Sequence, residues 1–187
     1  MKHMRTLFTF ILISTLMLSL IACSPSNSNS NDTIGKVTDY RSNTAQQIIK
    51  NGPAPDFQMQ MPDGKIKFLS DLHGKVVLLN FWRINCPYCI LEMPYLQDAY
   101  NELSAEEVVI LGINTSDSEN EIIKFLTSKK LSFPIIRDSD FYVSTLYQVR
   151  YVPTTYLIDK TGNIQIVKIG AFANANDIIT ALKALLQ

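Results

Sequence analysis

Residues 76–89 read VVLLNFWRINCPYC, a continuous apolar run that leads into a Cys-x-x-Cys pair. An apolar run of this kind is typical of a strand buried on both faces of a sheet, which predicts a strand over Val76–Trp82. The proline between the cysteines suits the first position of a helix, where its missing N–H costs nothing, so we predict a helix over Pro87–Leu103. Cys86 and Cys89 are therefore expected where a buried strand gives way to a helix.

Strands and helices alternate on both sides of that stretch. Two turn signals, Pro62-Asp63-Gly64 and Lys160-Thr161-Gly162-Asn163, each lie between short apolar segments and predict two hairpins. The further predicted elements are strands at 57–61, 65–69, 107–114, 154–159 and 164–169, and helices at 118–130, 139–149 and 177–186. This order predicts an α/β fold with a central mixed β-sheet flanked by helices.

The position of the cysteine pair favours redox chemistry. Backbone N–H groups and the dipole at a helix N-terminus favour an anion, so we expect the pKa of the Cys86 thiol to lie below its usual value of about 8.5. The thiolate is the attacking species in disulfide exchange. Cys89 lies one turn along the same helix face. We therefore expect Cys86 to attack and Cys89 to resolve the mixed disulfide.

A Cys-x-x-Cys pair is also compatible with half of a zinc site or with a passive structural disulfide. A structural zinc site needs four ligands. Besides this pair, the chain has one other cysteine, Cys23, and the predicted domain offers only His73 as a histidine. We therefore expect no metal and no cofactor other than the redox-active cysteine pair itself.

Two further positions fit a redox site. Pro153 precedes a predicted strand, where proline is tolerated for ordinary reasons. Alternatively, it is a cis-proline opposite the cysteines, which would free the Val152 backbone to pair with an extended substrate. Glu92 lies three residues after Cys89 on roughly the same helix face. It is either a solvated surface charge or a proton acceptor for the buried thiol, with its pKa raised by desolvation.

Several separate motifs of this sequence resemble the TlpA/ResA-like branch of the thioredoxin superfamily. They are Ala54-Pro55-Asp56-Phe57, Leu78 to Trp82, Cys86-Pro87-Tyr88-Cys89, Glu92-Met93-Pro94, Phe133-Pro134 and Val152 to Asp159. The resemblance covers about residues 51–187. It implies a thioredoxin-like fold with an N-terminal β-hairpin and an inserted strand–helix element near residues 118–136.

The resemblance also implies roles for individual residues. By position, Cys86 is the nucleophile, Cys89 the resolving thiol, Pro153 the cis-proline and Glu92 the active-site glutamate. Family members are membrane-tethered, outward-facing domains that often reduce disulfides, commonly those of apocytochrome c before haem attachment. A transmembrane electron donor is then needed, because the sequence has no nucleotide-binding fingerprint.

The sequence departs from the family pattern beside the first cysteine. Asn85 stands where the family usually has Trp, which removes an aromatic platform next to the thiol. The Pro-Tyr dipeptide between the cysteines is the one familiar from glutaredoxins. We expect substrate contacts from Val152, Pro153, Tyr88 and Trp82, although Tyr88 is equally compatible with a solvent-facing aromatic that has no role.

The N-terminus has the pattern of an export signal. Lys2 and Arg5 precede an apolar run, Leu7 to Ile21, that is shorter than the roughly 20 residues of a membrane span. The run ends in Leu-Ile-Ala-Cys, which resembles a bacterial lipobox and predicts lipidation of Cys23. We therefore divide the chain into a lipoprotein signal peptide (1–22), a lipidated cysteine with a flexible Ser/Asn-rich tether (23–50) and a thioredoxin-like domain (51–187).

The sequence therefore predicts a thiol–disulfide oxidoreductase held by lipid on the outer side of a bacterial membrane, where it reduces exported proteins. The counts of basic and acidic residues are both 17, so no nucleic-acid partner is expected. The alternatives are a thiol oxidase, or a copper chaperone or apocytochrome-binding module on the same fold. A peroxidase would be expected to have Thr or Ser where Arg83 stands.

Overall fold

The computed structural model of the chain describes residues 33–39, 51–104 and 107–187. The described strands form one eight-stranded sheet, and helices pack against it. The strands are β1 (Ile34–Asp39), β2 (Gln58–Gln60), β3 (Ile66–Phe68), β4 (Val76–Trp82), β5 (Val108–Asn114), β6 (Ile135–Arg137), β7 (Thr154–Ile158) and β8 (Ile164–Ile169). The helices are α1 (Pro87–Leu103), α2 (Glu119–Lys129), α3 (Tyr142–Leu146) and α4 (Ala175–Ala184), with a 3-10 turn at Leu69–Leu72.

The sheet is mixed, with the order β3-β2-β1-β6-β5-β4-β7-β8. Strand β4 lies near its centre, parallel to β5 and antiparallel to β7. All seven residues of β4 are buried, as the apolar run predicts. Val76 and Leu78 pack with residues of α1, α2 and α4, whereas Val77, Leu79 and Phe81 join a second cluster on the other face of the sheet. Both faces of β4 are therefore covered, and its C-terminal end carries the cysteine pair.

The two hairpins confirm the turn signals. β2 pairs with β3, and β7 pairs with β8, both antiparallel. Helix α2 begins with a capping box in which Ser118 and Glu121 satisfy each other's backbone N–H groups. Lys130 ends α2 in the left-handed conformation. β6 then returns parallel to β5, so α2 and β6 form the inserted strand–helix element.

Helix α3 is much shorter than the predicted helix over 139–149. The buried Asp138 carboxylate caps its start, because it accepts hydrogen bonds from the backbone N–H groups of Val143 and Ser144 at 3.1 and 2.8 Å. Phe141 and Gln148, which flank the helix, have φ values of 56° and 52°. Left-handed residues at both ends limit the helix to a little over one turn.

Strand β1 lies within the span that the sequence assigned to the flexible tether. It pairs parallel with β6 and antiparallel with β2, so residues 34–39 belong to the sheet. A Cβ at Gly35 would overlap the backbone carbonyl of Gln60, and glycine therefore permits the close approach of β1 to β2. The signal peptide, Cys23 and the rest of the predicted tether lie outside the described residues.

Within the residues that the structure describes, no helix is both long and apolar enough to cross a membrane. The central mixed sheet, the N-terminal hairpin and the inserted strand–helix element agree with the expected thioredoxin-like fold.

Candidate active site

The cysteine pair lies where β4 has ended and α1 begins, and its two sulfurs are joined in a disulfide. The Cα atoms of Cys86 and Cys89 are 5.2 Å apart. Cys86 occupies the cap position of α1, and its sulfur accepts a hydrogen bond from the backbone N–H of Cys89 at 3.2 Å. Cys86 retains 6% of its exposure, whereas Cys89 has none. Cys86 is therefore the more accessible of the two cysteines, and its sulfur has a backbone donor aimed at it.

The loop before β7 lies against the Cys86 sulfur. The Val152–Pro153 peptide bond is cis, and the Val152 carbonyl oxygen lies 3.5 Å from the Cys86 sulfur. The loop is held on both sides, because the Thr154 hydroxyl donates to the Tyr151 carbonyl at 2.7 Å and the Gly170 N–H donates to the Pro153 carbonyl at 2.8 Å. Pro153 is itself buried, whereas Val152 is half-buried, so a substrate backbone can reach Val152 more readily than Pro153.

Glu92, three residues after Cys89 on α1, is fully buried, which rules out the alternative of a solvated helix charge. One carboxyl oxygen accepts from the Asn80 side-chain amide at 2.8 Å, and the other accepts from the Phe172 N–H at 2.9 Å. Burial raises the pKa of Glu92 above its usual value of about 4.5. The two hydrogen bonds and the Lys168 charge oppose that rise without cancelling it.

Asn80 is a residue of this site that the sequence reasoning missed. Its amide nitrogen donates to Glu92 and also to the Thr155 hydroxyl at 3.0 Å, so it ties α1 to β7 across β4. Its amide oxygen is buried and has no hydrogen-bond partner among the described residues. The sequence did carry a signal, because Asn80 is the single polar residue in the apolar run of β4. A buried amide needs a hydrogen-bond partner, which indicates a polar group nearby.

Phe172 was also missed, because its contribution comes from the backbone. Its N–H reaches Glu92 from the segment between β8 and α4, and the Lys168 ammonium lies 5.2 Å from the centre of its ring. A backbone N–H is present whatever the side chain is, so the sequence alone carried no signal for this hydrogen bond.

The remaining candidate residues differ in how far solvent can reach them. Trp82 is fully buried, with its ring centre 5.4 Å from that of Phe125, which contradicts its expected contact with substrate. Tyr88 is 68% exposed on the first turn of α1 and is open to a docked partner. Asn85 is exposed beside the cysteines. Among the described residues no cluster of three His, Cys, Asp or Glu side chains could hold a metal ion.

His73, the one histidine considered as a ligand, lies far from the cysteines along β4. It precedes the start of β4, and its imidazole packs against Gly162 in the turn between β7 and β8. The cysteine pair follows the opposite end of the same strand. The structure therefore does not bring His73 to the sulfurs.

Comparisons with known proteins agree with this geometry. Residues 51–167 match the model of the AhpC/TSA family. The chain is 32% identical over 174 residues to the thiol-disulfide oxidoreductase ResA of Oceanobacillus iheyensis, across 91% of this chain and 84% of that protein. It is also similar to the crystal structure of a putative thiol:disulfide interchange protein DsbE from Chlorobium tepidum, with 27% identity, a TM-score of 0.68, and coverage of 75% of this chain and 100% of that one. A further similar structure is the exposed lipoprotein thioredoxin Etrx1 of Streptococcus pneumoniae, with 28% identity, a TM-score of 0.60, and coverage of 70% and 99%.

Proposed function

Because this chain belongs to the AhpC/TSA family, and within it is a thiol–disulfide oxidoreductase of the ResA type, we propose that it reduces disulfide bonds of exported proteins through Cys86 and Cys89. The observation that carries this proposal is the hydrogen bond from the Cys89 N–H to the sulfur of Cys86, which is slightly exposed while Cys89 is fully buried. An N–H donor at the start of a helix stabilises a thiolate more than a thiol, because it interacts with the added negative charge.

The proposed reduction proceeds in two exchanges. The Cys86 thiolate attacks one sulfur of the substrate disulfide, a new S–S bond forms, and the other substrate sulfur leaves as a thiolate that takes up a proton. Cys89 then loses its proton and attacks the Cys86 sulfur, which releases the second substrate thiol. Two electrons pass to the substrate, and the Cys86–Cys89 disulfide remains.

Glu92 is the proposed acceptor for the Cys89 proton. It lies three residues further along α1 on the same face, and both groups are fully buried. Water cannot easily take a proton at such a depth, so an internal base is needed. Because burial raises the pKa of the Glu92 carboxyl, the carboxylate is a stronger base than an exposed one and is better matched to a thiol near neutral pH.

We further propose that the domain works on the outer side of a bacterial membrane, tethered by lipid on Cys23. The lipobox-like sequence at Cys23 supports this location, and the similarity to an exposed lipoprotein thioredoxin is consistent with it. Apocytochrome c is the proposed substrate on the strength of the family resemblance. Each turnover consumes two electrons, so a membrane-embedded dithiol partner is the proposed donor that re-reduces the pair.

A mixed-disulfide trap tests the proposal. In Cys89→Ser protein the second exchange is blocked, so substrates should accumulate as covalent adducts on Cys86 that a reducing agent releases. Cys86→Ser protein, made in the same cells, should capture none. Recovery of c-type cytochrome precursors would support the maturation role, whereas equal adduct levels in the two variants would refute the assignment of Cys86 as nucleophile.

The direction of electron flow decides between this proposal and a thiol oxidase. Both use the same two exchanges, run in opposite directions. A reduction potential of the Cys86–Cys89 pair close to that of thioredoxin, about −270 mV, supports a reductase, whereas one near −120 mV supports an oxidase.

A further inference from the structure

A groove of about 270 Å³ lies next to the loop that contacts the Cys86 sulfur. Val152 lines this groove, and the carbonyl oxygen of the same residue lies 3.5 Å from the Cys86 sulfur. Four exposed residues also line the groove: Arg83, Phe141, Arg150 and Tyr151. A polypeptide whose cysteine reacts with Cys86 would place its neighbouring residues in this groove.

The groove has a local positive charge. Arg83 and Arg150 line it together, and neither forms an ion pair with a carboxylate in the part of the chain that the structure describes. Two carboxylates lie close to the groove without lining it: Asp140 lines a neighbouring cleft, and Asp117 accepts hydrogen bonds from the Ile84 N–H and the Asn114 side-chain amide. Because basic and acidic residues are equal in number over the whole chain, this excess is a property of the groove.

Exposed aromatic rings accompany the two arginines. Tyr151 is 70% exposed and Phe141 is 51% exposed. Large exposed rings beside a reactive centre are typical of surfaces that bind other chains, since they provide apolar contact area with little loss of side-chain entropy. A guanidinium group binds a carboxylate through two parallel hydrogen bonds, which a lysine cannot match.

We propose that this groove binds an extended polypeptide segment that carries an acidic side chain beside the cysteine attacked by Cys86. The carboxylate pairs with Arg83 and Arg150, and the segment lies over the Tyr151 ring. This inference rests on the proposed function and names a substrate class for it, namely disulfide-bonded exported proteins with Asp or Glu next to the reacting cysteine.

Both arginines lie close in sequence to residues that carry or contact the reactive sulfur, as selection of an acidic substrate segment requires. Arg83 follows β4 and lies three residues before Cys86, while Arg150 lies two residues before Val152. Both chain segments that flank the sulfur therefore contribute one positive charge. Charge pairs formed at a surface raise the rate of encounter more than the final affinity, and salt weakens them.

The test uses the full chain, reduced beforehand, and two octapeptides that differ only in Glu or Gln beside a single cysteine. That cysteine carries mercaptoethanol in a mixed disulfide, so either direction of attack ends with an oxidised Cys86–Cys89 pair and two free thiols. The rate of protein oxidation is followed by acid quench and mass spectrometry. We expect the Glu peptide to react roughly fivefold faster at low salt, with the ratio falling towards one at high salt.

Substitutions of the two arginines test whether the preference for the Glu peptide comes from the groove. In Arg83→Gln/Arg150→Gln protein the Glu-to-Gln rate ratio should fall to about one, and Arg83→Lys/Arg150→Lys should retain part of it through charge alone. The matched control is Lys124→Gln/Lys129→Gln, which removes two exposed charges from α2, an element that contributes no residue to the groove. The control should keep the ratio of the unaltered protein.

Failure of this inference is distinguishable from failure of the proposed function. Hydroxyethyl disulfide, a neutral substrate without flanking residues, reports the exchange chemistry alone. If the unaltered protein reduces it but shows no preference for the Glu peptide, or if the preference survives in the Arg83→Gln/Arg150→Gln protein, the groove assignment is wrong. If hydroxyethyl disulfide is not reduced at all, the proposed function itself is wrong.

Discussion

Replacing the buried Glu92 with glutamine should shift the stability, relative to that of the unaltered protein, in favour of the variant by an amount that grows as the pH rises. The side chain keeps its size and loses its ionisation. A carboxyl whose pKa is raised in the folded state holds its proton more tightly there than in the unfolded chain. Its contribution is therefore fully favourable below about pH 4.5, the usual value, and is lost as the pH rises through the folded-state pKa. Glutamine has no such loss.

The magnitude follows from two opposing contributions. Glutamine has one acceptor oxygen, so it can satisfy the Phe172 N–H but turns its own N–H₂ towards Asn80. If the Asn80 amide rotates, its oxygen, which has no partner now, can accept that N–H₂. We expect this exchange to cost about 1 kcal/mol at low pH. The loss of ionisation acts in the opposite direction. Between the pKa of Glu92 in the unfolded chain and its pKa in the folded protein, the difference in unfolding free energy shifts in favour of glutamine by up to about 1.4 kcal/mol per pH unit.

Urea denaturation of the oxidised protein, repeated from pH 4 to pH 8, measures this difference. Glu92→Gln should be less stable than the unaltered protein at pH 4, and the difference in unfolding free energy should move in favour of glutamine as the pH rises. Asp98→Asn, which removes an exposed carboxylate from the same helix, is the matched control and should show no comparable rise. A difference for Glu92→Gln that is flat or falls with pH would show that the pKa of Glu92 is not raised in the folded protein.

Three further substitutions test the surroundings of the site and the sheet by the same denaturation assay. Asn80→Ala leaves the buried glutamate without its side-chain donor and should lower the unfolding free energy at pH 7 by about 1–3 kcal/mol, and an unchanged value would contradict the hydrogen bond. Asp138→Ala removes the buried cap of α3 and should cost about 2–4 kcal/mol, whereas Asp140→Ala, exposed two residues later, should change the stability little. Gly35→Ala should cost about 1–3 kcal/mol through overlap with β2, and equal stability of Gly35→Ala and Lys36→Ala, its exposed neighbour, would show that β1 is not packed as described.

The elements that the sequence predicted well are those whose pattern is local. The apolar run of β4 and the proline at the start of α1 predicted both of those elements with their observed bounds. The turn residues predicted the two hairpins. The Cys86 position at the start of α1 followed from the same stretch, since a proline inside a Cys-x-x-Cys pair leaves few other places for a helix to begin.

The elements that the sequence predicted poorly depend on distant partners. β1 is stabilised by β2 and β6, which lie far along the chain, and its own residues have no strong strand pattern. α3 was predicted too long because its apolar residues continue beyond the helix, while the Asp138 cap and the left-handed Phe141 limit it. Burial of Trp82 and the Phe172 backbone bond to Glu92 likewise arise only when separate segments pack together.

If Cys86 and Cys89 form one redox centre, they gain and lose two electrons together. The full chain is equilibrated with glutathione buffers of graded redox potential. Acid quench, alkylation and mass spectrometry then measure the oxidation state of each cysteine. We expect one two-electron transition in which both cysteines change from alkylated to protected together. If neither residue changes over the whole range, or if one changes without the other, the pair is not the redox centre of this protein.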